Sequence, residues 1–139
     1  METAARATPR HRVVIVDDDE SVCRSTARLL ERIGFEVTPL RSGAEALAFV
    51  QQHPVDAIVT DHQMPGMSGA ELVERLVAHN PGAASRIILT SGDLHAEDTE
   101  RLIAATGCRA LAKPFTTAEL ALLIRAAVGT PGPSTLSAA

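Results

Sequence analysis

Short apolar runs and longer amphipathic stretches alternate along this chain. Val13 to Val16 is an unbroken run of β-favouring residues, as expected of a strand covered on both faces. Val22, Thr26, Leu29, Leu30 and Ile33 then recur on one side of a predicted helix, which Gly34 is suited to close. Phe35 to Leu40 reads as a second strand. Ser42 and Glu45 have capping-box spacing and open a helix carrying Leu47 and Val50, ended by His53-Pro54. Ala57 to Thr60 forms a third strand that stops at Asp61.

The loop HQMPGMSG, from His62 to Gly69, leads to another capping box at Ser68 and Glu71. Its helix carries Leu72, Val73, Leu76 and Val77 and stops before Pro81. Ile87 to Leu89 is a fourth strand. A helix with Leu102 and Ile103 ends at Gly107, Arg109 to Ala112 makes a fifth strand, and a box from Thr116 to Glu119 starts a last helix. That helix is expected to bury Leu120, Leu123, Ile124 and Ala127. Strands and helices in strict alternation imply right-handed crossovers and a parallel α/β sheet covered on both faces. One domain is expected over residues 13–128, between a polar tail at 1–12 and a Pro-, Gly- and Ser-rich end at 129–139 that reads as a flexible tail or linker stump.

Composition narrows the picture. Aromatics make up 2% of the 139 residues, so the core must be built from Leu, Ile, Val and Ala. The formal charge of -4, without a basic face or an aromatic stacking platform, argues against direct contact with nucleic acid. Cys23 and Cys108 fit neither a Cys-x-x-Cys pair nor a zinc set and read as free, buried or partly buried thiols. There is no signal-peptide core and no run of membrane-spanning length, so a cytoplasmic protein without membrane contact is expected.

The chemistry lies at the strand ends. Asp17, Asp18, Asp19 and Glu20 follow the first strand without a break, and crowded carboxylates repel unless a cation sits among them. Asp19 or Glu20 suits a helix N-cap. In an open parallel sheet the ligand site lies beyond the carboxyl ends of the strands. Those ends carry Asp17 and Asp18, then Asp61, then Thr90 and Ser91, then Lys113. A few carboxylates with little else suit Mg²⁺, a hard ion that keeps several waters and is completed by phosphate oxygens. A lysine and a hydroxyl opposite suggest an anionic group held between metal and ammonium, the equipment of phosphoryl transfer.

VVIVDDDES, DAIVTDHQMPGMSG, IILTSGD and LAKPF resemble, in order and spacing, the motifs of response-regulator receiver domains of two-component signalling. The resemblance spans about Val13 to Val128. It implies a flavodoxin-like (βα)5 fold with strand order 2-1-3-4-5, and phosphorylation by a sensor histidine kinase or a histidine phosphotransfer protein. It further implies that Asp61 is the phosphoacceptor and that Asp18 and Asp61 touch Mg²⁺ directly. Asp17 would act through water and the backbone carbonyl of Gln63 would complete the set. Lys113 would pair with the phosphoryl oxygens across a cis Lys113-Pro114 bond. Ser91 is preferred to Thr90 as the switch hydroxyl, with Gly92 as the small residue beside the phosphoryl group. The family's usual output surface, the fourth helix with the fifth strand and fifth helix, would meet a downstream protein.

The chain departs from the family at Ala110, where an aromatic residue commonly reports activation, so an aromatic flip cannot be its output. His62 is expected to be a variable loop residue near the site. Two rival readings stand beside the receiver. One is a haloacid-dehalogenase-like phosphatase with Asp17 as nucleophile in Asp17-x-Asp19, a motif that lacks the Thr expected after its second Asp. The other is an interaction module of the same fold that is never phosphorylated.

Overall fold

The computed structural model describes residues 10–129. Five strands, β1 (Arg12–Val16), β2 (Glu36–Leu40), β3 (Ala57–Asp61), β4 (Ile87–Ser91) and β5 (Arg109–Ala112), form one parallel sheet of order β2-β1-β3-β4-β5. Helices α1 (Glu20–Ile33), α2 (Gly43–Gln52), α3 (Gly69–His79), α4 (Glu97–Thr106) and α5 (Thr117–Val128) make the crossovers. This is the flavodoxin-like order expected. β1 opens one residue before the domain boundary placed at residue 13, because Arg12 pairs with Glu36 of β2. Residues 1–9 and 130–139, where most of both tails falls, lie outside the described residues.

The side chains of each strand alternate between two core layers. Val14, Val16, Ile58, Ile87 and Leu89 pack with α2, α3 and α4, while Val13, Ile15, Ala57, Val59 and Ile88 pack with α1 and α5. β3 and β4 are buried throughout, which is why their sequences are apolar runs rather than alternating ones. Pro39 interrupts β2, and the sheet accommodates it there because β2 is an edge strand.

The helix starts follow their sequence signals closely. Ser68 with Glu71, and Thr116 with Glu119, form reciprocal capping boxes. At α2 the box is only half made. Ser42 accepts from the backbone of Glu45, but the Glu45 carboxylate takes the amide of Arg41 instead of the cap's own. Between α3 and β4 a 3-10 turn, Pro81–Arg86, fills a stretch with no strong sequence signal.

α1 divides the expected row, of which Leu30 is buried and Thr26 half-buried. Cys23, Ala27 and Leu30 are the residues it buries, whereas Val22, Leu29 and Ile33 stand 48%, 42% and 38% exposed. The small side chains of Cys23 and Ala27 let the helix lie close on the sheet beside Leu30, and Val22, Leu29 and Ile33 are turned outward. In α5, Ala121 takes the fully buried place expected for Leu123, which is only partly covered.

Candidate functional site

The order β2-β1-β3 means that successive crossovers leave in opposite directions on either side of β1 and β3. The crevice that results opens at their carboxyl ends. Asp17 follows β1 directly and Asp61 is the last residue of β3. Ligand oxygens of Asp17, Asp18 and Asp61 all lie within 4.8 Å of one another. Lys113, from the end of β5, places Nζ 2.8 Å from Asp61 Oδ1. The Lys113-Pro114 peptide is cis, as the resemblance implied.

The run of four acids is now divided by role. Asp19 caps α1, accepting from the amide of Val22. Glu20 turns to Arg24 at 2.6 Å and Arg41 at 3.1 Å. Asp17 and Asp18 remain, and with Asp61 they form a triad of negative charge faced by one ammonium. Burial raises the pKa of Asp17 above the ordinary carboxylate range, and the charges of Asp61 and Asp18 add to the rise; the Asp19 amide and Lys113 pull against it. Carboxylates held this close fit a divalent cation, which would supply the charge the triad lacks.

Alternation along β4 separates the two hydroxyls. Asp61 and Thr90 are register partners and share a face. Thr90 therefore lines a cavity of about 560 Å³ together with Asp17, Asp61 and Lys113, floored by Ile15, Val59 and Leu120. Ser91 points to the other face, where it lines a cleft of about 250 Å³ with His62, Gln63 and Asp93, and its Oγ accepts from the Asp93 amide at 3.1 Å. Gly92 is exposed, and a Cβ added there would meet nothing within 4 Å. Gln63 is exposed on the loop two residues beyond Asp61. His62, the loop residue expected near the site, is only 7% exposed, because its backbone continues the sheet with a hydrogen bond to Thr90 and a second from Gly69. Gly69 makes that fit possible, since a Cβ there would lie 2.2 Å from the Asp61 carbonyl oxygen.

The family model for the response regulator receiver domain matches residues 13–125. The chain belongs to that family. It is 39% identical over 121 residues to the transcriptional regulatory protein FixJ of Azorhizobium caulinodans, covering 84% of this chain and 54% of FixJ. It is 36% identical over 115 residues to the transcriptional regulatory protein PrrA of Mycobacterium tuberculosis, covering 83% of this chain and 48% of PrrA. The chain thus spans about half the length of these curated relatives. Among solved structures, the CheY-like receiver domain protein of Methanospirillum hungatei aligns with a TM-score of 0.76 and 27% identity, over 84% of this chain and 92% of that one. The receiver is a domain of two-component signal transduction, and the phosphatase reading gains no support from any of these likenesses. No helix among the described residues is long and apolar enough to cross a membrane.

Sequence reasoning missed the apolar approach to the site. Val22 and Thr26 of α1, with Phe115 after β5, wall the cavity that holds the triad. The signal was present as an apolar row on α1 too wide for one buried face.

Proposed function

We propose that Asp61 accepts a phosphoryl group from the phosphohistidine of a sensor kinase or phosphotransfer protein. The reading rests on one observation above others: three carboxylates gathered within 4.8 Å beside a lysine that already touches the middle of the site. Asp17, Asp18, Asp61 and the Gln63 carbonyl would hold Mg²⁺. Bound there, the ion neutralises charge on the transferring oxygens and lowers the repulsion that an incoming anion meets. Asp61, fixed at the end of a fully buried strand, directs a carboxylate oxygen at phosphorus. A P–O bond forms as the donor's P–N bond breaks, and the imidazole nitrogen leaves with the electron pair. Lys113 exchanges its contact with Asp61 for one with a phosphoryl oxygen, so the transition state gains an interaction that the resting state uses elsewhere. Ser91 turns from Asp93 to donate to the same group, and the loop and helix after β4 change packing. A downstream protein reads that change on α4, β5 and α5.

Incubation with acetyl phosphate and Mg²⁺, followed by intact mass measurement, tests the assignment. The wild-type chain gains one phosphoryl group and Asp61→Asn gains none; undiminished labelling of that variant refutes it.

A further inference from the structure

The cleft on the far side of β4 is lined by a buried hydroxyl without a hydrogen-bond partner and by a buried imidazole held by one long contact. Thr99, in the first turn of α4, is 0% exposed, and its Oγ1 makes no hydrogen bond. His62 is also buried, and its ring's one hydrogen-bonding neighbour among the described residues is the Gln63 side-chain amide, 3.5 Å from Nδ1. Both line the same space, together with Gln63, Ser91, Gly92, Asp93, Ala96 and Asp98. A buried hydroxyl without a partner is costly, and such a group in a native fold calls for an explanation.

The two walls of the cleft are held differently. His62 is fixed, since its amide and carbonyl are both bonded and Met64, two residues on, is in the core. The opposite wall is the turn from Gly92 to Ala96, ahead of α4. Ala96 gives that helix no side-chain cap, and the turn leans on Ser91 Oγ through the Asp93 amide. Any event that draws the Ser91 hydroxyl away removes that support.

We propose that His62 and Thr99 form the latch of the activated state: when Ser91 leaves Asp93, the turn settles inward and the His62 ring hydrogen-bonds Thr99 Oγ1. The inference rests on Asp61 being the phosphoacceptor and Ser91 the switch hydroxyl. It gives a chain with Ala110 in place of an aromatic residue a different route from site to α4. His62 acts here as a positioning residue, because it lines the cleft on the α4 face and not the cavity that holds Asp17, Asp61 and Lys113. The bias arises from a contact made in one state and absent in the other.

Binding of beryllofluoride with Mg²⁺ to the full chain, followed by hydrogen exchange over α4, tests the latch. Thr99→Val removes the hydroxyl at constant shape. It raises the resting thermal midpoint and weakens beryllofluoride binding about 3- to 10-fold, the ratio one hydrogen bond carries. His62→Phe weakens binding by a similar factor, the double variant weakens it no further, and Thr99→Ser restores it. Unchanged affinity in Thr99→Val, a lowered resting midpoint, or losses that multiply in the double variant overturns the latch. If the wild-type chain itself neither binds beryllofluoride nor accepts phosphoryl from acetyl phosphate, the phosphoacceptor reading fails instead.

Discussion

Replacing Asp18 with Asn should stabilise the protein without metal and weaken its response to metal. The carboxylate oxygens of Asp17, Asp18 and Asp61 lie within 4.8 Å of one another. Two unit charges at that separation repel by about 1 kcal/mol at the dielectric constant of water and by about 3 kcal/mol at a protein surface. Asp18 is exposed, so the lower figure applies to each of its two pairs. Lys113, 2.8 Å from Asp61, offsets part of it. Asp18→Asn therefore relieves about 1–2 kcal/mol, which for a domain of this size raises the thermal midpoint in EDTA by roughly 4–8 °C. Ten times the dissociation constant of Mg²⁺ stabilises the wild-type fold by about 1.4 kcal/mol, and the variant, short of one ligand, loses most of that gain. The order of the two melting curves thus closes or inverts between EDTA and Mg²⁺, and the EDTA gap narrows as salt rises. Circular dichroism melts at low ionic strength measure both. A variant that melts lower in EDTA, or one that keeps the full Mg²⁺ shift, would refute the reasoning.

Three other outcomes are expected. Leu29 on α1 is 42% exposed beside the apolar wall of the site, so covering it against a phosphodonor protein is worth about 1 kcal/mol; Leu29→Asp should slow transfer from such a protein at least 5-fold and leave labelling by acetyl phosphate unchanged, and equal slowing of both would remove α1 from docking. Ser91→Ala should abolish the α4 exchange response to beryllofluoride while Thr90→Val retains it, and the reverse would give the switch to Thr90. Burial raises the pKa of Cys23 and Cys108. Both thiols should thus resist iodoacetamide at pH 9 until urea is added, and since the unfolded thiols ionise first, native stability should fall as pH rises from about 8.5 through the folded values. Rapid alkylation of the native protein would contradict that placement.

What the sequence made legible was whatever depends on local chemistry. Strand runs, capping residues and the carboxylates at the strand ends are each specified within a few neighbouring positions, and the sheet places those ends on one rim whatever the loops do. The triad needs only that β1 and β3 be adjacent, which the strand order provides. What stayed hidden depends on rotation. A helical row from Val22 to Ile33 is equally periodic whether it faces core or solvent, and only the close approach allowed by Cys23 and Ala27 decides between them. The same holds at β4, where one residue separates a side chain sharing the face of Asp61 from one facing α4. Thr90 and Ser91 are near equals in sequence, yet the pleat commits them to opposite layers. On the reading that Ser91 is the switch hydroxyl, it starts on the α4 face and must move to reach the acid face, a displacement that would couple phosphorylation of Asp61 to packing at α4. Thr90, already on the acid face, has no such distance to travel.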